Sequence, residues 1–153
     1  MRGYNILLGI FLLAVAFFYA PEASTDLNSL ILEESLTVGY QNGKITVQGE
    51  TLSGQGADWN TAMEQVYATA TGTVFLETTD RILIHRDAVE CLPAILQDER
   101  LRPGTQLYIF QGEQGDALTE FAEAHESNAT IAECADIPIL METTGGNYFV
   151  WTE

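Results

Sequence analysis

The sequence predicts an α+β protein: an N-terminal hydrophobic helix, then one or two small mixed sheets with helices packed on one face. Three observations predict it. An unbroken apolar run spans Ile6 to Ala20, helix-spaced and strand-like segments alternate after it, and the strand signal is strongest around Asn42-Gly43. The roughly 130 residues beyond the run suffice for one ordinary domain or two small ones.

Residues 1–25 read as a signal peptide or a membrane anchor, with Arg2 before the run and Pro21 and a mostly polar stretch after it. Fifteen helical residues span about 22 Å at ~1.5 Å each, short of a hydrocarbon core of about 30 Å, which favours a signal peptide. A cut after Ala20 would put Phe18 where a small residue is wanted and Pro21 just beyond it. Cleavage near Ala23 and retention as an anchor therefore both stay open. Arg2 before the run and acidic residues after it place the rest outside the cytoplasm by the positive-inside bias. The chain is expected to be periplasmic or extracytoplasmic, soluble after cleavage or anchored in the inner membrane.

From Asp26 to Glu34, Leu27, Leu30 and Ile31 follow a capping aspartate at helical spacing, predicting a short helix. "LTVGY" and "KITVQGE" alternate on either side of Asn42-Gly43, predicting a hairpin. "TLSGQGA" reads as a loop. Asp58 then caps a helix whose Trp59, Ala62, Met63, Val66, Tyr67 and Ala70 share one broad apolar face. "TVFLET" and "RILIH" read as strands, "AVECLPAILQDERL" as a helix, and "TQLYIF" as a strand after Pro103-Gly104. Asp116 caps a helix with Leu118, Phe121, Ala122 and His125 on one side, and "IPILMET" and "NYFVWT" form a terminal hairpin around Gly145-Gly146. Two units, 26–79 and 80–153, or one fused sheet, satisfy this order. A boundary would fall near Thr78 to Asp80.

The formal net charge is −16, with 22 acidic residues against 6 basic ones. Such a surface repels nucleic acid and anionic headgroups. Beyond Arg2, the basic residues are Lys44 and four arginines within one 22-residue segment, Arg81, Arg86, Arg100 and Arg102. With His85 these four arginines are the candidate contacts for an anionic ligand or a partner. Cys91 and Cys134 are expected to pair as a disulfide, on compartment and even count alone. The bridge would close a loop worth about 3–4 kcal/mol in the chain-entropy model.

The segment "IHRDAVECLP", residues 84–93, concentrates the reactive side chains. His85-Arg86-Asp87 begins like a kinase catalytic loop, but Leu92 stands where that loop needs a metal-binding Asn. His85 and Cys91 are six residues apart and His125 and Cys134 nine, neither a paired-ligand zinc spacing. Gly54/Gly56 and Gly112/Gly115 lack the third glycine and the strand-to-helix setting of a nucleotide loop. No catalytic residue, metal or cofactor is assigned. The structural account makes Arg81–His85 a strand end and Asp87 a helix cap with Glu90 in a capping box. Pro93 fits only if that first turn is short or the main helix begins near Leu92.

The order helix, strand, Asn-Gly turn, strand, helix, strand, with "VGYQNGKITVQGET", Gly49 and the helix from Asp58, resembles the BON domain of exported bacterial proteins. The resemblance covers about 50 residues of this chain and implies a non-enzymatic envelope module that associates with phospholipid surfaces or other envelope proteins. The chain's acidity favours protein contacts. The second half is similar in order to the outer-membrane-protein-A-like peptidoglycan-binding fold. That family holds its ligand with an Asp in a T-D segment and an Arg on the next helix, and "FQGEQGDALTEFAEAHE" contains no arginine. The expected function is a non-catalytic exported or inner-membrane-anchored binding or assembly module with a membrane or envelope protein partner. The membrane itself is contacted through residues 6–20 if these are uncleaved. The alternative is a peptidoglycan-associated protein using the arginines of 81–102, and a third reading is an exported hydrolase.

Overall fold

The computed structural model describes residues 29–113, 115–134, 137–142 and 149–152, with 141–142 and 149–152 described as backbone alone. The N-terminal run and the turn at Gly145-Gly146 lie outside the described residues. The fold is mixed α+β, and its elements in order are β1 (Leu30–Leu32), β2 (Ser35–Gln41), β3 (Lys44–Gln48), β4 (Ser53–Gly56), α1 (Trp59–Thr69), β5 (Thr73–Phe75), β6 (Arg81–His85), α2 (Leu92–Leu96), β7 (Gln106–Gln111), α3 (Asp116–Ala124), β8 (Ile139–Glu142) and β9 (Phe149–Thr152). Short 3-10 turns occupy Leu76–Thr78 and Arg86–Cys91.

Seven strands form one sheet in the order β4-β3-β2-β6-β7-β8-β9, and β1 and β5 form a separate parallel pair. β2 pairs in parallel with β6, Leu36 opposite Ile82 and Val38 opposite Ile84. Strands on both sides of the boundary considered near Thr78–Asp80 thus share one sheet. Thr79 Oγ1 donates to Glu33 O at 3.0 Å and Asp80 N to Glu34 O at 2.8 Å, stitching the two halves at that point.

The hairpin forms as its turn demands. Asn42 and Gly43 both have positive φ, 52° and 78°, the conformation a two-residue turn needs to match strand twist. β2 and β3 then pair antiparallel from Gln41↔Lys44 to Thr37↔Gln48. "TLSGQGA" is not a loop: Ser53–Gly56 adds a third antiparallel strand on β3. Its glycines allow α1 to press against it, since a Cβ at Gly54 would lie 2.4 Å from Ala62 O and one at Gly56 2.3 Å from Ala62 N. Gln55 N of β4 donates to Gln65 Oε1 of α1 at 2.7 Å, which engages one donor of this edge strand.

The Asp58 side chain accepts from Thr61 N at 2.8 Å, capping α1 as expected. Those hydrogen bonds to the first turn hold the Asp58 carboxyl below its ordinary pKa. Leu30–Leu32 is strand rather than helix, because Leu30, Ile31 and Leu32 pair with Thr73, Val74 and Phe75 of β5. In the segment after β6, His85 rather than Asp87 is the cap, its Nδ1 accepting from Asp87 N at 3.2 Å. The α-helix begins at Leu92, which places Pro93 in the first turn, where its missing N–H is not needed.

Helices cover both faces of the sheet, not one. Trp59, Ala62, Met63 and Val66 of α1 and Ile95 of α2 pack with Leu36, Val38, Ile45, Val47, Ile82, Ile84 and Leu107. On the opposite face Leu118 and Ala122 of α3 pack with Leu83, Tyr108, Phe110 and Leu140. The physical reason lies in β6 and β7, parallel central strands whose successive residues Ile82-Leu83-Ile84 and Leu107-Tyr108 are all buried. A strand apolar on both sides needs cover on both.

An acidic cleft beside helix α3

α3 covers only the β6–β7–β8 part of its face. Toward β2 and β3 the same face presents Thr37, Gly39, Thr46 and Gln48, which offer no apolar surface for a helix to bury. The uncovered part is a cleft of about 970 Å³. Its floor is this polar strand pair, its wall is the side of α3 carrying Asp116, Thr119, Glu120 and Glu123, and the loop with Gly112, Glu113 and Gly115 closes one end. Glu33, Glu34 and Glu50 close the other, and His85 is the one basic side chain among the described lining residues.

The wall is held in place by Tyr108. Its hydroxyl accepts from Ser127 N at 3.1 Å and lies 2.6 Å from Gln106 Oε1 and 2.8 Å from His125 O, pinning the end of α3 to the sheet. Burial raises the Tyr108 pKa, so the hydroxyl keeps its proton for this network. Of the seven carboxylates in the cleft, that of Glu33 is already committed. Only 1 % exposed, it accepts from Glu50 N at 2.6 Å, Thr51 N at 2.9 Å and Thr51 Oγ1 at 2.6 Å, and so holds the turn between β3 and β4. The other six, Glu34, Glu50, Glu113, Asp116, Glu120 and Glu123, are spread along the cleft. Among the described residues no three His, Cys, Asp or Glu side chains are grouped to hold a metal ion. The cleft's carboxylates give it a negative surface along its length.

His85 is the single member of the candidate contact set that reaches the cleft. Its ring stands edge-on to Phe110, centroids 5.1 Å apart, and Asp87 Oδ2 is 3.7 Å from its Nδ1. Arg81 points to the same side of the sheet, on the row of Ser35 and Gln106, and its Nε is buried without a hydrogen-bond partner among the described residues. Arg86 Nε donates to the Gln111 side-chain oxygen at 3.2 Å, in the amide orientation that satisfies both groups. Arg100 Nε and Nη2 donate to the two Asp98 oxygens at 2.7 and 2.6 Å, and Arg102 pairs with Asp80. The arginines close in sequence are thus not gathered on one ligand position, and two are already engaged by carboxylates.

Cys91 is buried and Cys134 exposed, both free thiols, so the anticipated bridge is not formed in this structure. Cys91 packs in the core layer with Ile84, while His85, next along the strand, faces the opposite side. Alternation therefore separates the thiol and the imidazole that sequence placed six residues apart. Burial, reinforced by Glu90, pushes the Cys91 thiol up, which keeps it protonated and inert. His125 stacks on Phe121 at 3.9 Å and its Nδ1 lies 2.8 Å from Phe121 O. Gly54 and Gly56 serve helix packing, and Gly112 and Gly115 shape the cleft's end.

The cleft was not visible as a motif, because its carboxylates come from segments 33–34, 50 and 113–123. The local signal that existed was the run of glutamates along α3, which needs a solvated face. No helix among the described residues is long and apolar enough to cross a membrane. No family model, curated protein or solved structure matches the chain.

Proposed function

We propose that this chain is a non-catalytic binding or assembly module of the cell envelope, exported or anchored in the inner membrane, whose acidic cleft receives a cationic segment of a protein partner. The cleft's charge carries the reading: six uncommitted carboxylates line about 970 Å³, with His85 as the described basic lining residue. Low-dielectric walls around charges of one sign concentrate counter-charge and speed encounter. Thr37, Thr46, Gln48 and Thr119 add neutral hydrogen-bonding groups for the backbone of an extended segment.

Calorimetric titration with a lysine-rich peptide tests the proposal. Binding is expected at low salt, weakening as ionic strength shortens the screening length from about 10 Å at 0.1 M toward 3 Å at 1 M. The double substitution Glu120→Lys, Glu123→Lys should abolish it. Glu64→Lys, Glu77→Lys, an equal change of charge on exposed residues outside the cleft, should leave most of it. Equal loss in both variants, or no binding at low salt, would sink the assignment.

A further inference from the structure

The part of the described chain nearest the N-terminal apolar run carries no charge. β1 and β5 pair in parallel with Leu30 opposite Thr73 and Leu32 opposite Phe75. Ile31 and Val74 pack against the core, so strand alternation turns Leu30, Leu32 and Phe75 outward. Leu32 is 55 % exposed and Phe75 38 %, two of the three exposed large apolar residues among those described. A second cavity, of about 590 Å³, opens beside Leu32 between the start of β4 and the end of α1, and every residue lining it is uncharged. Residues 27–32 and 65–76 contain no Asp, Glu, Lys or Arg, in a chain with 22 acidic residues.

Sequence position identifies what covers this face. Ala20 ends the apolar run nine residues before Ser29, a tether that spans at most about 30 Å when fully extended. Two exposed side chains fall well short of the roughly 800 Å² per partner that a stable protein interface buries. A surface delivered by its own tether needs no such area, because the tether supplies the effective concentration. The absence of charge matters equally, since elsewhere the acidic surface would be repelled by anionic headgroups.

We infer that the outer face of the β1–β5 pair rests on the interface of the lipid bilayer that residues 6–20 enter, seating Leu32 and Phe75 at the acyl-chain boundary and fixing the domain's orientation. The inference rests on the reading of residues 6–20 as a retained anchor. The test uses the full chain with phosphatidylcholine vesicles. Leu32→Cys, Phe75→Cys and, as control, Tyr40→Cys each carry an environment-sensitive fluorophore, in a Cys134→Ser background that leaves only the buried Cys91. Flotation reads the anchor, and quenching by brominated lipid reads the contact. Floating protein with blue-shifted, quenched emission at 32 and 75 but not at 40 is the expected result. Floating protein in which 32 and 75 behave as 40 does would overturn the contact and leave the anchor standing. Protein that stays at the bottom of the gradient would overturn the anchor and the contact with it.

Discussion

The indole Nε1 of Trp59 donates a 2.8 Å hydrogen bond to Asp98 Oδ2, joining the buried start of α1 to the turn that follows α2. The Asp98 side chain is only 5 % exposed, and Arg100, which lies 5.2 Å from the Tyr67 ring centre, holds both of its oxygens. Burial alone would raise this carboxyl, but the bonds from Arg100 and Trp59 outweigh it and leave it below its ordinary value. The same bond to Asp98 raises the Arg100 guanidinium further.

Asp98→Ala should therefore cost about 1.5 to 3 kcal/mol in denaturant unfolding, the range for hydrogen bonds to a charged group. A depressed carboxylate gives stability that is complete above its unfolded value, near about pH 4, and lost as pH falls through the lower folded value. Comparing the acid limbs of the wild type and Asp98→Asn isolates this contribution, and the variant should lose less stability over that window. Parallel acid limbs would contradict the assignment.

Gly54→Ala should destabilise the chain by about 1 to 3 kcal/mol, the usual cost of overpacking, because the new methyl would meet the α1 backbone at Ala62. Gly104→Ala, where the space is open, should stay within about 0.5 kcal/mol. A pair of thermal melts decides between this close approach and a merely flexible strand, which would show no difference.

These two relationships mark where the sequence was legible. The Asn42-Gly43 hairpin, the apolar face of α1, and β6 and β7 could be read because turn chemistry and periodicity act locally. β4 could not, since Ser53-Gly54-Gln55-Gly56 has none of the branched or aromatic residues that favour strands, and pairing with β3 decides its state. β1 was misread because Leu27, Leu30 and Ile31 satisfy helical spacing, while the partner that makes it a strand lies in β5, after α1. The second covered face was legible in Ile82-Leu83-Ile84, which no one-sided sheet would carry. The acidic cleft depends on long-range assembly of separate segments, and its local signal was confined to the run of glutamates along α3.

The two thiols should behave unequally. A water-soluble maleimide should modify exposed Cys134 in the folded chain at once, and buried Cys91, with its raised pKa, only on unfolding. Mass spectrometry of the labelled chain counts the additions. A chain with no reactive thiol before reduction would replace this arrangement with the bridge that compartment and cysteine count suggested.

Whether a cationic partner binds in the cleft between α3 and the open strands β2 and β3 is decided by amide chemical-shift mapping during titration with a lysine-rich peptide. Binding in the cleft should give its largest changes at Thr37, Thr46, Gln48 and Thr119, saturating together. Changes spread instead over Glu64, Glu77 and Glu90, growing without saturation, would contradict it and reduce the cleft to one more acidic part of a uniformly acidic surface.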